Sequence, residues 1–177
     1  MSIYIPVIKN YAPFYFQGVE ELSAVDIQQQ FGVTIKAHEY PAKRKVKQPY
    51  RVEKVGADGD DEWLGKIWYE AFTLRLSCVV MSNSADSAAS REELKNAMLE
   101  FIEYARSSAF LIYDAWTRFG FKDVRISEIP EVPSNGFREK DGRCRLIFDI
   151  VLKVNDPKTK VVLSNGVLTP IIEESES

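Results

Sequence analysis

Alternation of apolar and polar positions is clearest in two stretches of the chain. From Tyr69 to Ser82, one register holds Phe72, Leu74, Leu76, Cys78 and Val80, and the other includes Thr73, Arg75 and Ser77. From Arg143 to Val154 the same period returns, with Cys144, Leu146, Phe148, Ile150, Leu152 and Val154 set against Arg143, Arg145, Asp149 and Lys153. Successive side chains of a strand point to opposite faces, so each stretch predicts a long strand with one buried face. Between them Leu94, Ala97, Met98, Phe101 and Ala105 recur at helical spacing and form one apolar stripe, while Glu92, Glu93, Lys95, Glu100 and Glu103 mostly take the other faces. Ser90-x-x-Glu93 matches a capping box, with Asp86 and Ser87 as competing caps upstream. A sheet face and a helix stripe can bury each other. The predicted fold class is therefore α+β: a mainly antiparallel sheet packed against one long helix, with a protruding charged loop or hairpin arm.

The flanks read less regularly. Ile3, Ile5 and Val7 alternate, but Pro6 and Pro13 interrupt any regular element. Phe14-Tyr15-Phe16 is too apolar to lie exposed without cost. It docks either on the domain itself or on a neighbouring subunit, and the pattern does not choose between them. Glu20 to Phe31 predicts a short helix ended by Gly32. Val33, Ile35 and Ala37 predict a short strand. Lys122 to Ile129 predicts another, through Val124 and Ile126, closed by Pro130 and Pro133. Gly136 to Gly142 is a charged turn. Asn155-Asp156-Pro157 is expected to end the last long strand, with a small hairpin after it, Val161 to Leu163 and Val167-Leu168 around Asn165-Gly166. These readings divide the chain into a partly irregular N-terminal extension, 1–32, a core domain, 33–155, and a C-terminal hairpin with an acidic tail, 156–177. No internal repeat is visible.

The segment from Glu39 to Lys66 is different in kind. It carries a basic run, Lys43, Arg44, Lys45 and Lys47, and then an acidic run, Asp58, Asp60, Asp61 and Glu62. Loops beyond about 15 residues are uncommon in compact domains unless functional or mobile. The segment is thus a flexible excursion or a β-hairpin arm, with Gln48 to Val55 as one leg.

Composition sets the outer limits. The chain has 177 residues, 45% hydrophobic and 28% charged, which suits one globular domain. Area scaling buries roughly 70% of the extended chain's surface, enough for a core without staples. Its apolar runs fall short of the ~20 residues that span a bilayer. Met1-Ser2-Ile3-Tyr4-Ile5-Pro6 lacks the basic start and cleavage site of a signal peptide, so synthesis in the cytosol is expected. The net charge of −3 argues against a general nucleic-acid binder, though not against a local basic patch.

Candidate chemistry is sparse. Cys78 and Cys144 have no CxxC spacing and sit on apolar strand faces, where a free thiol behaves as a small hydrophobe. His38 is the single histidine and has no triad or zinc spacing around it. The acidic run lacks the ligand pattern of an EF-hand loop, and no GxGxxG or GxxxxGK[ST] occurs. No catalytic residue, metal or cofactor is expected. Tyr40 and Tyr50 flank the basic run as possible stacking groups for a nucleic acid; protein contact is the favoured reading. Trp63, Trp68 and Trp116 are interface anchors or core residues. The interface candidates are Phe14, Phe16, Lys43, Arg44, Lys45, Lys47, Tyr50, Asp60, Asp61 and Trp63.

The order of elements, rather than a motif, supplies a resemblance. Tyr69-Glu-Ala-Phe-Thr-Leu-Arg-Leu76 leads through Ser87-Ala-Ala-Ser-Arg-Glu-Glu-Leu94 into Val124-Arg-Ile-Ser-Glu-Ile-Pro130 and then Gly142-Arg-Cys-Arg-Leu-Ile-Phe-Asp-Ile150. Over residues 33–155 this resembles the tail-terminator (neck) proteins of tailed bacteriophages and related prophages. Arg143 and Arg145 precede the apolar ladder in the manner of that family's final strand. The resemblance implies a virion protein that forms a homohexameric ring, ends tail-tube assembly, and joins the tube to the head connector. DNA would pass through the ring's lumen without sequence-specific binding. By the same analogy the arm, 39–66, contacts a neighbouring subunit or the tube. The long N-terminal segment and acidic tail depart from compact family members, and no family catalytic residues exist to carry over. The alternatives are another tail-tube or head-completion protein, a small cytosolic enzyme, or a nucleic-acid-binding module.

Overall fold

The two alternating stretches lie side by side, with Phe148 opposite Cys78, Ile150 opposite Leu76, Leu152 opposite Leu74 and Val154 opposite Phe72. Pairing in this register puts these apolar residues of both strands on one face, while Val79 and Ile147, opposite each other, lie on the other. The structure is a computed structural model that describes residues 3–4, 13–39, 47, 51–53, 60–62, 69–85, 87–128, 131, 137–138 and 142–171. Its elements in order are β1 (Ile3–Tyr4), β2 (Phe14–Gly18), β3 (Val25–Asp26), α1 (Ile27–Phe31), β4 (Thr34–Glu39), β5 (Arg51–Glu53), β6 (Asp60–Glu62), β7 (Phe72–Ala85), α2 (Ala88–Ser107), β8 (Phe110–Asp114), β9 (Phe119–Glu128), β10 (Phe137–Arg138), β11 (Arg143–Ser164) and β12 (Val167–Ile171). One antiparallel sheet runs β1-β7-β11-β9-β8-β2-β3, with β4 on β7 and both β10 and β12 on β11.

The expectation of one long helix packed on a sheet is overturned. The molecule is mostly antiparallel sheet, curled into a half-barrel, and the described residues include two helices. The physical reason lies in β11. At 22 residues it is long enough to pair with β7 and β9 along one part and with β12 along another. A twisted strand of that length carries its neighbours around with it.

β11 also passes straight through the point where Asn155-Asp156-Pro157 was expected to end it. The register against β9 shifts between Asp156 and Lys160. In that bulge the Asp156 carboxylate accepts hydrogen bonds from the backbone N–H of Lys158 and Thr159, at 3.2 and 3.1 Å. A proline is tolerated in a strand where the ladder is already interrupted. Just beyond, β9 crosses so close that a Cβ on Gly120 would sit 2.4 Å from the Val161 carbonyl oxygen. Only glycine fits there.

The hairpin expected around Asn165-Gly166 is present, and both residues have positive φ, 51° and 77°, as a type I′ turn requires. Ser164 pairs with Val167, Val162 with Thr169 and Val161 with Pro170. In a two-residue hairpin the closing pair is hydrogen-bonded and the pairs then alternate. The N–H groups of Val167, Thr169 and Ile171 therefore face β11, and residues 168 and 170 face the other way. Leu168 donates its outward N–H to Gln17 Oε1 at 2.7 Å. Position 170 is proline and has none to give. Ala24 donates to the Gly166 carbonyl at 2.8 Å, so the sheet's two ends meet through a side chain and one backbone bond.

Residues 14–32 belong to this sheet and core, contrary to the boundary expected at 33, and so do 156–171. β2 pairs with β8, and Phe16 packs its ring 5.9 Å from Phe101 and 5.4 Å from Phe110. The stripe of α2, which includes Leu94, Ala97, Met98, Phe101 and Ala105, joins the same core. α2 begins one turn before the Ser90 box. Ser87 is its N-cap, Ser90 donates its N–H to Ser87 Oγ at 3.1 Å, and Ser87 returns its own N–H to Ser90 Oγ at 2.9 Å. The predicted helix over 20–31 shrinks to α1, because Asp26 caps it at the N-terminus and Gly32 closes it with φ 68°.

Candidate interaction surface

Pairing within the arm is local: β5 and β6 pair as Arg51 with Glu62, Val52 with Asp61 and Glu53 with Asp60. They form a two-stranded sheet of their own, separate from the large one. Of the candidates on this segment, Asp60 and Asp61 fall on β6 and Lys47 is exposed. Lys43, Arg44, Lys45, Tyr50 and Trp63 lie outside the described residues, as does Trp68. What is visible of the arm is a short hairpin whose second strand, Asp60-Asp61-Glu62, is wholly acidic.

Phe14 and Phe16 are not surface anchors. They are 6% and 1% exposed and sit in the chain's own core, which settles their docking on the domain. Two residues apart on β2, they share the face that meets the core, where Phe16 packs against Phe101 and lies opposite Ile112.

Among the described residues, the aromatic that stands furthest into solvent is Trp116, 71% exposed, with Phe119, the first residue of β9, half-exposed. These occupy the tip between β8 and β9. Asp114, which is buried, organises the tip: its carboxylate accepts from the Trp116 N–H at 2.9 Å and from the Thr117 hydroxyl, and its carbonyl accepts from the Arg118 N–H at 2.8 Å. Pro13 holds the other side by accepting from the Ala115 N–H at 3.1 Å. Arg118 is left at φ 58°, a conformation that costs a non-glycine residue and persists only where its surroundings impose it. The signal in the sequence was Asp114 followed by Thr117, the spacing of a side-chain-closed turn, next to two aromatic residues.

The remaining electrostatics are structural. Burial pushes the Cys78 thiol well up, with the Asp149 carboxylate adding to it, so it stays protonated and inert. Burial also raises the Tyr104 phenol, helped by its 2.8 Å hydrogen bond to Glu21 and that residue's charge. Glu21 Oε2 accepts from the Gly18 N–H as well, at 2.7 Å, tying β2 to α2. For Asp156, burial opposes ionisation, yet hydrogen bonds from Thr159 and Lys158 together with nearby Lys122 hold its carboxyl below the usual range. Arg75–Asp149 and Arg125–Asp123, at 3.7 and 3.5 Å, are exposed pairs of little energetic weight. Among the described residues no cluster of three or more His, Cys, Asp or Glu is placed to hold a metal, and no helix is long and apolar enough to cross a membrane. No protein-family model matches the chain, and no curated protein matches it.

Proposed function

We propose that this chain is a structural assembly protein of the virion, a tail terminator that forms a ring at the head–tail junction. The ring, a hexamer of this chain, ends tail-tube growth and joins the tube to the connector, while DNA passes through the lumen. The observation that supports this reading best is the arm. An isolated two-stranded hairpin is marginal at best in water and gains stability only by packing on something else. β5–β6 shares no strand with the large sheet, whereas that sheet is complete without it. An element that needs a surface, attached to a domain that does not need the element, suits a contact made between molecules.

The test is deletion of residues 41–62 in the full chain. The shortened protein keeps its far-UV spectrum and melts as one unit, and it forms no rings alone or with tail tubes in negative-stain images. The intact chain forms six-fold rings under the same conditions. An intact chain that binds neither itself nor tube or connector components overturns the proposal.

A further inference from the structure

The turn between β8 and β9 is built more rigidly than a solvent-exposed tip requires. Four hydrogen bonds converge on it from Asp114 and Pro13, and they hold Arg118 in a left-handed conformation. The backbone so fixed carries an exposed tryptophan, an arginine and a half-exposed phenylalanine. Tryptophan and arginine are among the residue types that dominate binding hot spots, and a fixed turn lowers the entropy cost of ordering the loop that carries them. Phe119 is anchored from behind, stacked 6.5 Å from Phe121, which itself packs edge-on to Phe72 at 5.3 Å.

The surroundings of this tip are basic. Phe121 pairs with Lys160 and Lys122 with Asp156, so the β11 bulge brings exposed Lys158 and Lys160 to the same end of the sheet as Lys122 and Arg118. Among the described residues, the carboxylates near it are each held within their own element. Asp114 is buried and bound to the turn, Asp156 accepts from its own bulge, and Asp123 pairs with Arg125. The one wholly acidic strand among the described residues is β6, Asp60-Asp61-Glu62, on the arm.

We infer that the aromatic and basic tip formed by Trp116, Arg118 and Phe119 is the surface on which the acidic strand β6 of a second copy of this chain docks. This rests on the assembly reading above and adds its receiving site. The contact joins two different patches, arm to tip, so it is heterologous and propagates from copy to copy until the rotation closes a ring. Opposite charges steer the encounter, and the aromatic pair supplies the buried anchor.

The experiment uses full-length protein and follows self-association by sedimentation velocity. Trp116→Ala and Arg118→Glu each weaken association about tenfold or more, as loss of a hot-spot residue does. Neither removes a core contact, and an unchanged near-UV spectrum checks this. An Asp60→Lys/Asp61→Lys protein also fails to associate alone, but mixing it with the Arg118→Glu/Lys158→Glu protein restores hetero-association. If the wild type and both tip variants associate equally, or the mixture does not recover, the arm docks elsewhere: this inference falls and the assembly reading stands. If the wild type stays monomeric and ignores tail tube, both fall, and the arm-deletion experiment identifies that case independently.

Discussion

Two hairpins in this molecule have opposite relations to the rest of the chain. The β11–β12 hairpin has a tight Asn165-Gly166 turn, a buried Leu168, and a far edge tied by Gln17 to β2. The β5–β6 hairpin pairs three residues with three and joins no other strand. The first is stabilised from both sides by its own chain. Among the described residues the second pairs only with itself, and its sequence is charged at nearly every position. Local pairing is similar in the two, so what separates a structural hairpin from an arm is the partner available on the second side.

The largest effect on this contrast comes from breaking the shared core. Phe148→Asp puts an unpaired carboxylate on the face packed against Phe101, at a residue 4% exposed. The cost, about 5 kcal/mol or more, rivals the stability of a whole domain, and circular dichroism will show an unfolded chain. Gly120→Ala comes next. Its Cβ meets a backbone oxygen that cannot rotate away, which costs about 3 kcal/mol in a denaturant titration. Gln17→Ala is smaller, about 1–2 kcal/mol, because it strands the buried Leu168 N–H. It should also raise amide exchange along β12 before anywhere else.

Asp156→Ala costs about 1 kcal/mol at neutral pH, at the low end because the site is partly solvated. Its folded pKa lies below the unfolded value of about 3.9, so its contribution is complete above that value. It is lost as pH falls through the folded pKa, and the gap between variant and wild type closes in acid. Thermal melts from neutral pH to pH 3 will trace that closure. Deleting 41–62 ranks last on this scale, within about 0.5 kcal/mol of wild type, since none of the described core residues lies there.

Much of the fold was legible because one face was buried. β7, the first half of β11 and α2 alternate or stripe cleanly, and each lies where the pattern placed it. β8 was not read because Phe110-Leu111-Ile112-Tyr113 is apolar at every position and gives no period. β2 follows Pro13 and contains Gln17, whose partner is 151 residues away and invisible to local pattern. The second half of β11 was cut short by Pro157, since a bulge that accommodates proline depends on a neighbouring strand. The arm was legible as a charged excursion with a hairpin leg. The exposed β8–β9 tip was not, because Trp116 reads equally as core or surface until the turn built on Asp114 is seen.

The outer side of β12 has a further consequence. Between Val167 and Ile171 the only amide hydrogens on that side belong to positions 168 and 170; one is already spoken for by Gln17 and proline lacks the other. An invading strand finds no free donor on that side, so a full ladder cannot form. That shortage of donors makes this rim a poor template for edge-to-edge pairing, and Pro170→Val, which restores the missing donor, is where such pairing would begin.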